Sequence, residues 1–161
     1  MSEITIELID ALLSPAANPN AESQFKSIPV PTRVQSLLVI LQQCLPSQSS
    51  TTAQPQANTN IPRLMLTAVL LRRDVSSLGG YSIKNVKLNS EWEIVRMLGE
   101  TVKPLLDIFD LCNRDEAMHG IRRQIGFVIA EVCSSLSVME DGIAVDVMNV
   151  VLNRSANGVS W

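Results

Sequence analysis

The sequence predicts an all-α fold, a stack of antiparallel helical hairpins, and three observations carry that expectation. Apolar residues recur three and four positions apart along most of the chain, which is the spacing of one helix face. Proline, glycine and polar stretches break that spacing at intervals suited to short helices. Finally, Ser76-Ser77-Leu78 returns 58 residues later as Ser134-Ser135-Leu136, each time closing an apolar segment.

The elements follow in order. Ile4, Leu8, Ile9, Leu12 and Leu13 form a first helical stripe, although Ile4, Ile6 and Leu8 also alternate as a strand would; Ser14-Pro15 closes it. A short second helix is expected from about Ala21 to Ser27, stopped by Ile28-Pro29-Val30-Pro31. The third is the most regular, with Val34, Leu37, Leu38, Leu41 and Leu45 on one face before Pro46. Residues 47–60 hold no charge and no large apolar side chain, so they cannot offset the entropy of ordering and are expected to be a mobile loop.

A fourth helix begins near Pro62, carries Leu64, Ala68, Leu71, Val75 and Leu78, and is expected to stop at Gly79-Gly80. A second mobile loop, 79–89, precedes Ser90 and Glu93, spaced as a capping box for the fifth helix. That helix begins there and carries Ile94, Met97, Leu98, Val102, Leu105, Leu106 and Phe109, with Pro104 inside it as an expected kink or split. Asp115 is placed to cap a sixth helix whose face is Ile121, Ile125, Val128, Ile129, Val132 and Leu136. In the last element, Ile143 to Leu152, β-branched residues leave helix and strand nearly tied.

Composition bounds the function. With 161 residues, 46% apolar and 18% charged, the chain suits one domain that buries enough surface to need no metal or disulfide framework. Thirteen Lys and Arg against sixteen Asp and Glu disfavour direct nucleic-acid binding. No apolar run approaches the ~20 residues of a membrane crossing, and Met1-Ser2-Glu3-Ile4 lacks the basic start of a signal peptide. Cys44, Cys112 and Cys133 form no CxxC pair and sit in apolar stretches, as small core residues of an intracellular protein do.

Pairing the helices gives three hairpins and a seventh element. The echo between Val69 to Leu78 and Val128 to Leu136 fits a helical-hairpin repeat of ~40–47 residues lengthened by the 79–89 loop. The expected architecture is therefore a HEAT-like α-solenoid of about three repeats plus one helix, spanning 1–152, with 153–161 an unstructured tail.

Four stretches in order carry a family resemblance: Leu12-Leu13-Ser14-Pro15; Ala21-Glu22-Ser23-Gln24-Phe25-Lys26-Ser27-Ile28-Pro29; Ala68-Val69-Leu70-Leu71-Arg72-Arg73; and Ile121-Arg122-Arg123-Gln124 leading to Ala130-Glu131-Val132. Together they resemble the amino terminus of importin-β (karyopherin-β) nuclear transport receptors, closest to the branch that imports ribosomal proteins and histones. The likeness runs from residue 1 to about 152 and implies HEAT/armadillo-type repeats at the front of a longer receptor, or a truncated product of its gene. The stretch Ala16-Ala17-Asn18-Pro19-Asn20 is shorter than its counterpart in the family, so the second helix is expected to begin late.

Candidate site residues come from the charged faces. At 100° per residue, Arg73 lies nearly opposite the apolar stripe of the fourth helix with Arg72 on its flank, and Arg123 and Arg122 repeat this on the sixth. Second helices of successive hairpins line the inner surface of a solenoid, where Arg73 and Arg123 could form a basic ladder; the plainer alternative is solvated arginines or ion pairs with Asp74 or Glu131. The resemblance implies that this surface engages Ran-GTP. It also implies nucleoporin Phe-Gly repeats in grooves between first helices, basic protein cargo in a full-length relative, and residence in cytoplasm, nucleus and nuclear pore. Without the resemblance, periodicity alone is equally met by a HEAT or TOG-type scaffold or adaptor.

Enzymatic function is not expected. The acid pairs Asp107 and Asp110, Asp115 and Glu116, and Glu140 and Asp141 sit at helix surfaces or ends with no nucleophile, base or oxyanion-hole sequence nearby. His119 is the only histidine, Gly79-Gly80 lacks a phosphate-loop context, and no metal or cofactor is called for. Asn153-Arg154-Ser155 matches a glycosylation sequon by chance, and Trp92 and Trp161 are expected to be a packing and a tail residue.

Overall fold

The computed structural model describes residues 3–16, 18–45, 60–82, 89–113, 115–137, 149 and 153, and every regular element among them is helical. The first helix, α1 (Ile6–Leu13), resolves the strand-or-helix tie at the start of the chain. Thr5 sits in extended backbone and its hydroxyl accepts the Leu8 N–H at 3.3 Å, so the turn begins there while Ile4, before the helix, is buried.

Helix α2 runs Pro19–Ser27 and starts earlier than the resemblance implies. Asn18 supplies the cap, accepting the Ala21 N–H at 3.2 Å, and Pro19 brings a preset φ to the first helical position. These two residues were the overlooked start signal. The next helix, α3 (Val30–Cys44), begins directly after Pro29, so Val30-Pro31 opens α3 instead of only closing α2. Its buried face is Val34, Leu37, Leu38, Ile40 and Leu41.

Helix α4 covers Ile61–Ser82, with Asn60 accepting the Arg63 N–H at 3.1 Å. It passes through Gly79-Gly80, correcting the expected stop and the 79–89 loop. Glycine inside a helix costs only about 1 kcal/mol relative to alanine, which a 22-residue helix packed along its length can absorb. Residues 83–88, and 47–59 of the other expected loop, lie outside the described residues.

Helix α5 spans Asn89–Cys112. Asn89 is already helical, so the helix begins one residue before Ser90. Pro104 does not split it: the helix is continuous, and the fully buried Val102, Leu105, Leu106 and Ile108 around the proline offset the one backbone bond it removes. Asp115 caps as expected, but it caps a 3₁₀ turn, Glu116–Met118, by accepting the Ala117 N–H at 2.9 Å; α6 (His119–Ser137) continues from that turn.

Packing follows the chain order in pairs. Near the start of α3, Arg33 meets Asp74 in the second half of α4, while Cys44 at the end of α3 lies beside Arg63 at the start of α4, so the two helices are antiparallel. Phe109 late in α5 touches Arg122 and faces Gly126 early in α6, as in a hairpin. Between hairpins, α4 lies along α6 and α3 touches α5, while α1 packs on α4 and α2 on α1. Met65 approaches Gly120 and Arg72 stacks on Phe127, both pairs 55 positions apart, so α4 and α6 run parallel. The sequence echo of 58 is thus displaced from the spatial register by just under one helical turn.

One apolar cluster joins all six helices, including Ile9, Leu37, Leu41, Leu64, Leu71, Leu98, Leu105, Ile121 and Ile125, all fully buried, with Phe25 of α2 also inside. The expected last element, 143–152, and the tail fall outside the described residues, apart from Asn149 and Asn153, which are both helical.

Candidate functional site

Two neighbouring helix stripes form the most distinctive surface. On α4 the outward positions are Val69, Arg73, Ser76 and Ser77; on α6 they are Arg123, Phe127, Ala130 and Ser134. Each set recurs every three or four residues, so each is one face, and the parallel packing of α4 and α6 lays the two faces side by side. Val69 and Phe127 are 42% and 37% exposed, two of the three large apolar side chains left open to solvent among the described residues. The single acid on each helix is withdrawn: Asp74 is buried and Glu131 half-buried. The face therefore has positive character despite the chain's net charge of −3.

The four arginines expected at this surface turn toward three different rings. Arg73 and Arg123 are exposed and Arg72 and Arg122 half-buried, as the helical wheel implied. Arg72 and Arg123 converge on Phe127, their guanidinium carbons 4.2 and 5.8 Å from the ring centre, and Arg72 also donates to the Gln124 side-chain oxygen at 3.2 Å. Arg73 instead reaches the Phe25 ring at 5.5 Å, with its Nε 3.7 Å from Asp74, the ion-pair alternative noted for it. Arg122 turns toward α5 and lies 4.3 Å over Phe109.

All three phenylalanines of the chain thus carry arginine, since Phe25 also receives Arg33 at 4.9 Å. A guanidinium over an aromatic face gains about 0.5–1 kcal/mol at exposed sites. Its larger effect here is to hold long side chains in one orientation, which lowers the entropy lost when a partner engages them. The periodicity argument missed the phenylalanines because Phe25 and Phe109 read as core. Phe127 had a signal: it lies four residues after Arg123, on the polar face where an aromatic residue needs a reason.

Two further ion pairs brace this region. Arg33 and Asp74 form a buried two-point pair with both bonds at 2.9 Å, and Arg33 also donates to the Phe25 carbonyl at 3.4 Å. Arg63 grips Asp10 through bonds of 2.7 and 2.6 Å, linking α4 to α1; the guanidinium holds the Asp10 carboxyl below its usual range. Neither pair was visible in the sequence.

Beside the face, Phe109, His119, Arg122, Arg123 and Gly126 line an open cleft of about 220 Å³. Burial pushes the Cys112 thiol up to about 11 and raises Cys133 as well, so neither is a ready nucleophile. Of the acid pairs, Asp115 is committed to its cap, while Glu140 and Asp141 lie outside the described residues. Among the described residues, no group of three or more His, Cys, Asp or Glu side chains is placed to hold a metal, and no helix is long and apolar enough to cross a membrane.

Compared with known protein families, characterised proteins and solved structures, the chain matches none. Its function therefore has to be argued from its own surfaces.

Proposed function

We propose that the chain is a protein-binding helical-repeat module, stacked in the manner of an α-solenoid, and that the α4–α6 face is where it recognises its partner. The observation that carries this is the exposure of Val69, Arg73, Arg123 and Phe127 along two parallel helices whose single acids are buried (Asp74) or half-buried (Glu131). Exposed aromatic, aliphatic and arginine side chains in one patch have the composition of a binding hot spot. The resemblance to importin-β receptors supplies the specific form of the proposal: a nuclear import receptor segment that binds Ran-GTP through this face and contributes to transport through the pore. Nucleoporin Phe-Gly repeats and basic cargo belong to the same proposal.

A scaffold or adaptor of the HEAT or TOG type is the second reading, and one observation favours it. Each of the four arginines rests on a ring of the chain itself, so an architectural role accounts for them without a GTPase. Pull-down with Ran loaded with GTP or with GDP separates the two. Retention of the GTP form alone is expected for a receptor, and equal behaviour of the two forms would assign the chain to the scaffold class.

A further inference from the structure

A second cavity lies away from the arginine face, between the start of the chain and the outer face of α3. It holds about 380 Å³ and is bounded on one side by Glu3–Thr5 and the first turn of α1. On the other side a single stripe of α3, from Thr32 to Gln43, forms the wall. Three of its properties bear on what it could take.

Its floor is apolar. Ile6 and Val39 line it, and Val39 is 47% exposed, the most open large apolar side chain among the described residues. Its rim is acidic. Glu3 and Glu7 are both exposed, and among the described residues no Lys, Arg or His lines the cavity. The nearest cation on the adjoining helices that acts on Glu7 is Arg63, which is already gripped at two points by Asp10 and so adds little positive field of its own. The Thr5 hydroxyl and the Glu7 backbone favour the charged form of the Glu7 carboxyl, keeping it ionised at neutral pH. The wall adds side-chain amides from Gln35 and Gln43, which can bond a peptide backbone.

We infer that this groove binds an extended basic peptide, seating an aliphatic side chain against Ile6 and Val39 while a neighbouring lysine or arginine pairs with Glu3 and Glu7. The volume suits a few side chains, and the alternation of an extended strand presents one residue to the floor and the next toward the rim. Charge complementarity selects the class of partner: an acidic groove with an apolar floor disfavours acidic peptides and gains over a purely apolar contact when the partner is cationic. The inference is independent of the Ran proposal, because it concerns other helices and the opposite charge.

Fluorescence anisotropy with the full chain tests it. A fluorescein-labelled peptide of alternating lysine and leucine should bind saturably, and its affinity should fall at least tenfold for the double variant Glu3→Gln, Glu7→Gln and for Val39→Ser. Replacing the peptide's lysines by serine, or its leucines by serine, should cost as much. All three protein substitutions alter exposed side chains, so circular dichroism should be unchanged. Absence of saturable binding, or binding that persists in both variants, would overturn the inference. So would equal binding of a glutamate–leucine peptide. A neutral phenylalanine–glycine peptide that binds as tightly would reassign the groove to an uncharged apolar partner, and a wild-type dimer dissolved by Val39→Ser would reassign it to a second copy of the chain.

Discussion

Arg33 and Asp74, 41 positions apart, share a two-point ion pair inside the core: Nε and Nη2 of the guanidinium each donate to a different carboxylate oxygen at 2.9 Å. Asp74 is 1% exposed and Arg33 9%. The pair clamps the start of α3 to α4 and, through the Phe25 carbonyl, to the end of α2.

Removing one partner strands the other charge in the interior, which typically costs about 3–5 kcal/mol. Asp74→Ala is therefore expected to lower the urea midpoint sharply with little change in slope. Substituting both, as Arg33→Met with Asp74→Leu, removes the stranded charge and should recover most of the loss. Equal destabilisation by the single and double variants would mean that the pair contributes net binding energy and not merely a conditional penalty.

Asp10 gives the acid limb of stability its direction. Its folded-state pKa is held below the unfolded value by Arg63, so the stabilisation is fully present above about pH 4 and is lost as pH falls through the lowered folded value. The pair is partly exposed, with the Asp10 side chain 42% open, which places its worth at about 1 kcal/mol or less. In Asp10→Asn, unfolding free energy should be lower at neutral pH and should decline less steeply below pH 4 than in the wild type. A parallel decline in both proteins would remove the pair from the acid limb.

If Ran-GTP is the partner of the α4–α6 face, reversing Arg73 and Arg123 to glutamate should weaken binding by about 1–3 kcal/mol, with helicity unchanged because both side chains are exposed. Phe127→Ala should weaken binding too, although it reverses no charge, since it releases Arg72 and Arg123 from the ring that orients them. Isothermal titration checks both variants. Unchanged affinity in the arginine double variant would exclude this face as the contact.

Cys112 should resist alkylation in the folded protein. With its thiol pushed up to about 11 by burial, roughly one molecule in a thousand carries the thiolate at pH 8. Iodoacetamide labelling followed by mass spectrometry should leave Cys112 unmodified until denaturant is added. Rapid native-state labelling would show that the end of α5 opens locally.

How much was legible depended on how local each feature was. The third helix, the cap at Asp115 and the outward position of Arg73 and Arg123 could be read because each depends on residues within one or two turns. The same locality exposed an oversight at Asn18-Pro19, whose cap-and-proline pair marks a helix start that the family comparison obscured. Gly79-Gly80 and Pro104 misled for the opposite reason: local preference pointed to a break, and the packing of α4 on α3 and α6 and of α5 on α6 outweighed it.

By itself, then, the sequence determined the helical class, the apolar stripe of each helix and which arginines face outward, because a period near 3.6 fixes the face of every residue without reference to the rest of the chain. Only the tertiary structure decided which faces meet. The joining of Arg33 to Asp74, of Arg63 to Asp10 and of Arg72 to the Phe127 ring depends on the relative register of packed helices, with partners 41 to 55 positions apart in sequence. That register is set by how side chains from two surfaces interlock, a property of pairs of helices that no single segment encodes.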